Sequence, residues 1–160
     1  MTFSIIHLSD IHFKTKEDII IINEDKIFNA IKNELRHVSH CFIIITGDIA
    51  FSGQDSEYEI AAGFIDNISM KLKKYNNGLK IDIVLIPGNH DCDFNKDTST
   101  RKTIINSINS GATIIDEDII DTCTSIQSSY FKFAEKYQTS ITKLNPSNKL
   151  LSVVEYQVGK

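Results

Sequence analysis

The 160-residue chain has no tryptophan, two prolines and three cysteines. So little proline, with only seven glycines, excludes a collagen-like or linker-rich chain. The cysteines, Cys41, Cys92 and Cys123, are odd in number, far apart and without a Cys-x-x-Cys pair. That excludes a disulfide framework and a thiolate zinc site, and the three read as ordinary reduced thiols. No apolar run approaches the roughly eighteen residues a membrane span needs. The N-terminus, Met1 to His7, places no basic region ahead of an apolar stretch. A cytoplasmic protein with no membrane partner is therefore expected. An excess of positive charge is lacking too, since 17 Lys and Arg stand against 21 Asp and Glu for a net charge of −4. Such a chain cannot hold nucleic acid on a broad basic face, so any phosphate it handles must be met by something local. Phosphate-loop, dinucleotide-turn and nucleophile-elbow signatures are absent as well.

What is present is a folded globular chain, 41% hydrophobic and 24% charged, of a length for one domain over 1–160. Short isoleucine-heavy runs alternate with longer amphipathic segments. Phe3 to Leu8, Cys41 to Thr46 and Ile81 to Ile86 have the length and texture of parallel strands buried on both faces. Between the first two, Asn23 can cap a helix with Glu24 and Asp25 in its first turn and an apolar stripe of Ile27, Phe28, Ile31 and Leu35. Between the second and third, Ser56-x-x-Glu59 reads as a capping box. The helix it opens should stop near Asn76-Asn77-Gly78, with Gly78 left-handed. Strand, helix, strand, helix, strand is two crossovers of an α/β sheet. Further on, residues 98–121 read as a short helix and a loop. Ile126, Tyr130, Phe133 and Tyr137 mark another helix, Asn145-Pro146-Ser147-Asn148 a turn, and Leu150 to Val158 a final strand. A chain stopping two residues past a strand is expected to be the N-terminal part of something longer.

A polar cluster follows each core strand: Asp10-Ile11-His12, then Gly47-Asp48, then Gly88-Asn89-His90-Asp91. The carboxyl ends of parallel strands line one crevice, so residues some forty positions apart become neighbours. The donors are oxygen and imidazole without sulfur, which suits manganese, iron or zinc. Two Asp, two His and one Asn exceed the needs of one ordinary site. A central carboxylate such as Asp48 can give one oxygen to each of two ions, and such a pair can grip a phosphate. Gly47 and Gly88 let the backbone turn sharply and bring the ligands close.

His7-Leu8-Ser9-Asp10-Ile11-His12, Gly47-Asp48-Ile49-Ala50 and Gly88-Asn89-His90-Asp91 resemble the first three motifs of the calcineurin-like metallophosphoesterases, in the same order. The resemblance covers about the first hundred residues. It implies a β-sandwich of two mixed sheets flanked by helices, of which this chain carries the N-terminal half. It also implies a metal-dependent phosphoester hydrolase, a phosphodiesterase or phosphomonoesterase, using water activated by two divalent ions (Mn, Fe or Zn). In that family pattern Asp10 and His12 hold the first ion, Asp48 bridges, and Asn89 gives its amide oxygen to the second. His90 protonates the leaving oxygen or stabilises the transition state, and Asp91 orients that imidazole through a hydrogen bond. The family completes its metal shell with further histidines, including a Gly-His-x-His motif, yet no histidine follows His90. The expectation is a shortened chain rather than a degenerate site, binding metal weakly and turning over poorly by itself. A small-molecule phosphoester is the expected substrate. A metal-dependent nuclease is the alternative enzyme, disfavoured by the acidic balance, and a silent scaffold or sensor module is the alternative from another class.

Other residues carry blander readings. His7, inside the first strand, reads as packed or hydrogen-bonded. His37 and His40 read as exposed or helix-end residues. Cys92 flanks the third motif without a chemical need for a thiol. Phe51-Ser52-Gly53-Gln54 reads equally as a border of the substrate or a plain loop, and Lys71, Lys73 and Lys74 as a solvated helix end.

Overall fold

The computed structural model describes residues 2–137. Three strands, β1 (Phe3–Leu8), β2 (His40–Thr46) and β3 (Lys80–Ile86), form a parallel sheet in the order β1-β2-β3. Register pairs Leu8 with Ile45 and Thr46 with Ile86, so the three carboxyl ends finish level at one edge. Their bounds match the isoleucine-heavy runs to within a residue, because β-branched side chains favour the pleated, packed surface.

Side chains alternate across a sheet, and the two faces here differ. Cys41, Ile43 and Ile45 of β2 are buried in one core with Leu85 of β3, and Ile6 and Leu8 of β1 pack against it. The helices between the strands cover this face. They are α1 (Ile19–Ile22), α2 (Glu24–Ile31) with a 3-10 turn at Lys32–Leu35, and α3 (Asp55–Tyr75). From α3 come Ala61, Phe64, Ile65, Ile68 and Leu72, each nearly inaccessible. Burying a side chain of this kind is worth about 1.5–3 kcal/mol. The other face is not covered by the described residues: Phe3, Ile5 and Ile86 are 56%, 55% and 49% exposed. Burial of the strands on both faces is thus not met for β1 and β3. On this face His40 is buried rather than exposed, because its Nε2 meets Asp82 of β3 at 2.5 Å and its ring stacks on Phe42 at 4.5 Å.

Helix ends also depart from expectation. Asn23 precedes α2, but its side-chain amide turns back to the Ile19 carbonyl at 2.8 Å. The box that opens α3 is Gln54 with Glu57 rather than Ser56 with Glu59. The helix stops at Tyr75 without a left-handed Gly78, because the Asn76 amide donates to the carbonyls of Leu35 and Val38, both at 2.9 Å.

Past β3 the chain forms a 3-10 turn at Phe94–Lys96, α4 (Ser99–Asn109), α5 (Glu117–Thr124), another 3-10 turn at Ser125–Gln127, and α6 (Ser128–Glu135). Residues 98–121 therefore hold one helix and most of a second. The stripe Tyr130, Phe133 and Tyr137 docks against α3 and the sheet, with Tyr137 donating to the Ala62 carbonyl and Tyr130 to that of Leu85. The expected turn at 145–148 and strand at 150–158 lie outside the described residues. Among those described, no helix is long and apolar enough to cross a membrane.

Candidate metal centre

Beyond the level strand ends, the loops are laced by backbone bonds. Gly47 N–H donates to the Ile86 carbonyl at 2.8 Å, Asp10 to Gly47 at 3.3 Å and His12 to Asp48 at 2.9 Å. Phe13 donates to Ile49 at 2.8 Å, and Phe51 returns a bond to Phe13 at 3.0 Å. Each chain emerging from a strand is thereby pinned to its neighbour instead of running out into solvent.

Within this lacing the non-glycine residues with left-handed backbone are Asp10 (φ 54°), His12 (φ 56°) and Asp48 (φ 50°). The conformation costs roughly 1–2 kcal/mol per residue, and residues held in it cluster at functional sites. Gly47 shares it without a Cβ to penalise, at φ 78°. Gly88 has a different task. A Cβ there would run into the Asp48 carboxylate and its backbone nitrogen, so the missing side chain is the space in which Asp48 sits.

Three side chains converge. One ligand atom each from His12, Asp48 and His90 lies within 4.8 Å of the other two. His12 Nε2 is 3.9 Å from Asp48 Oδ2, and the two imidazoles meet edge to face at 4.6 Å between centroids. Asp48 Oδ1 accepts the His90 N–H at 3.0 Å, which fixes the carboxylate. His12 Nδ1 is buried without a hydrogen-bond partner among the described residues. The imidazole of His12 and the oxygen donors at this edge, from Asp10, Asp48 and Asn89, match a borderline divalent ion. The residues present therefore fit a metal.

His90 is further constrained. Its Nδ1 lies 2.7 Å from the Phe51 carbonyl. A carbonyl only accepts, so Nδ1 carries the hydrogen and Nε2 is left either as a lone pair or as the acidic N–H of an imidazolium. Phe51, which sequence reasoning left undecided, is thus a partner of the site through its backbone. Lys14, which sequence reasoning passed over, holds its ammonium 4.2 Å from the Phe51 ring centroid. Its one sequence signal is its place two residues past His12.

Asp10 and Asn89 stand at the same edge, Asp10 beside Gly47 and Asn89 beside His90, and both are exposed. Asp10 lies outside the converging trio, and its carboxylate accepts from the Ser9 hydroxyl. Asp91 does something other than orient His90. Its carboxylate is fully buried and accepts from the backbone N–H groups of Ile49 (3.1 Å), Ala50 (2.9 Å) and Gly88 (2.8 Å) and from the Tyr58 hydroxyl (2.8 Å). It ties the loops after β2 and β3 together, while the imidazole takes Phe51 instead. Burial and the neighbouring carboxylate push the Tyr58 phenol well above its ordinary range, so it remains a donor. Burial likewise raises the Cys92 thiol, as for an unreactive cysteine. His7 lies outside the centre, exposed and bonded to Thr46 Oγ1 at 2.7 Å.

A metallophosphoesterase-like protein of unassigned function, YydB of Bacillus subtilis strain 168, is 34% identical over 110 residues, covering 68% of this chain and 21% of that protein. A probable cyclic nucleotide phosphodiesterase of Vesicomyosocius okutanii (subsp. Calyptogena okutanii, strain HA) is 24% identical over 111 residues, covering 69% of this chain and 43% of that protein. The chain thus spans less than half the length of either relative. The calcineurin-like phosphoesterase family model matches residues 3–153, taking in all three strand-end motifs, and the chain belongs to that family.

Proposed function

We propose that this chain supplies the metal-holding and acid–base edge of a metal-dependent phosphoester hydrolase acting on small-molecule esters in the cytoplasm. The observation that carries the reading is the convergence of His12, Asp48 and His90 at the ends of three strands. The family match and the phosphodiesterase name borne by one relative support it.

In this reading Asp10, His12, Asp48 and the amide oxygen of Asn89 would hold the divalent ions. When bound, such ions would supply Lewis-acid polarisation of the phosphoryl oxygens and a water acidic enough to serve as nucleophile near neutral pH. The chain's own residues do the rest. Asp48 is held by the His90 backbone and by the Gly88 cradle, so its oxygens are preorganised. His90, with Nδ1 committed to the Phe51 carbonyl, presents Nε2 as the group that carries a proton to the departing oxygen. Asp91 maintains the loop that presents both.

The test is manganese titration by calorimetry, with hydrolysis of bis(p-nitrophenyl) phosphate, on the protein as its gene encodes it. Asp48→Asn should lower manganese affinity at least tenfold and abolish turnover. His90→Ala should lower kcat about a hundredfold, the scale of a lost general acid, and leave manganese affinity within threefold. Equal loss of metal affinity in both variants would make His90 a ligand instead. Manganese binding with no turnover of any phosphoester would favour the scaffold reading.

A further inference from the structure

We propose that an open groove beside the metal centre receives the organic arm of the phosphoester and selects arms that carry no second phosphate; the inference rests on the phosphoesterase reading above. The groove, about 650 Å³, runs from the end of β1 to the start of α2 and has Asp10 and His12 in its wall. Phosphorus held at the centre would direct one ester substituent into it. Leu8, Ile20 and Ile27 give it an apolar lining that suits a compact organic group better than a hydrated anion. Beyond Asp10 and His12 its ionic lining is acidic, from Glu17 and Asp18, and no lysine or arginine lines it. Asp18 is held in place, since its carboxylate accepts the backbone N–H groups of Lys14 at 2.6 Å and Thr15 at 3.0 Å. This turn fixes the wall that carries both acids. A dianionic phosphate brought against two carboxylates is disfavoured by an order of magnitude or more even with strong solvent screening. A neutral or cationic arm meets no such penalty. The class selected is a single-phosphate ester of an uncharged or ammonium-bearing alcohol, rather than an oligonucleotide or a bisphosphorylated compound.

Two thymidine esters that differ by one group test this: the p-nitrophenyl ester of thymidine 5′-phosphate, and the same ester with an added 3′-phosphate. With the manganese-loaded protein as its gene encodes it, kcat/KM should favour the first at least tenfold, mainly through KM. Glu17→Lys should narrow the ratio to threefold or less. Binding is read separately as the dissociation constants of thymidine 5′-phosphate and thymidine 3′,5′-bisphosphate. The monophosphate should bind at least tenfold tighter, and Glu17→Lys should remove most of the difference. Selective binding without hydrolysis of either ester would end the hydrolase reading and keep the groove assignment. Equal or tighter binding of the bisphosphate, no measurable binding of either, or a Glu17→Lys variant with an unchanged preference would overturn the groove assignment whatever the activity.

Discussion

Gly47 and Gly88 sit against each other at the strand ends, yet an added methyl group would act on them through different physics. At Gly47 the space is adequate, with Gly88 Cα 3.6 Å from the position of a Cβ, but φ is 78°. Gly47→Ala should therefore cost about 1–2 kcal/mol of backbone strain and leave the ligands in place. At Gly88 the Cβ would occupy the room of the Asp48 carboxylate. Gly88→Ala must displace that side chain, costing about 1–3 kcal/mol as overpacking and, more tellingly, spoiling the ligand geometry. Urea denaturation should rank the two variants as similarly destabilised, whereas manganese titration should separate them, with Gly88→Ala weaker by tenfold or more and Gly47→Ala within threefold of the parent. Comparable affinities would mean that Asp48 does not depend on the cradle. The glycines were legible as sharp turns in the motifs, but which one leaves room for a side chain was not, because that contact spans forty residues of sequence.

At the level of elements, strands were easier to read than the joints between them. Runs such as Phe42-Ile43-Ile44-Ile45 specify a strand locally, and a polar motif directly after a strand locates itself at the sheet edge. Joints are decided by bonds to distant partners. Ser56 and Glu59 have the spacing of a capping box, as do Gln54 and Glu57. The second pair wins because the buried Glu57 carboxylate also takes the Ser52 backbone N–H and hydroxyl. The same holds for Asp91. Its place after His90 invited a role on the imidazole, whereas its four donors come from residues 49, 50, 58 and 88. A positioning partner of His90 and a brace between loops respond differently to Asp91→Asn. The amide replaces one acceptor oxygen with a donor group that faces N–H or O–H partners, and each buried donor left unpaired costs about 1–3 kcal/mol. Chemical denaturation should show a loss of that size or more. Tyr58→Phe, which removes a single donor, should cost less. A variant of unaltered stability with a shifted pH profile of turnover would restore the imidazole role.

For the whole molecule, the sheet has one face sealed by α2 and α3 and one bearing exposed Phe3 and Ile5, so the titration of its buried groups is set from the helical side. Cys41 lies on the sealed face with no accessible surface, and burial lifts its thiol from 9.0 to about 11. Through that interval the unfolded chain has already lost the proton and the folded chain still holds it. Unfolding therefore releases a proton, and stability falls as pH rises from about 9 to about 11. The buried phenols of Tyr58 and Tyr130, both raised above their ordinary 10.0, act in the same direction from about pH 10 upward. Their onset is one unit later than that of the two thiols that burial raises, Cys41 and Cys92, so a variant at position 41 is read between pH 9 and 10. Melting temperatures followed by circular dichroism under reducing conditions should be level from pH 7 to 8.5 and then decline. In Cys41→Val, which keeps the core filled, the decline between pH 9 and 10 should be shallower than in the parent, the remainder coming from the Cys92 thiol that burial also raises. If both proteins lost stability equally steeply between pH 9 and 10, the thiol at position 41 would be reaching solvent in the folded state, and the seal over this face of the sheet would be looser than its packing implies.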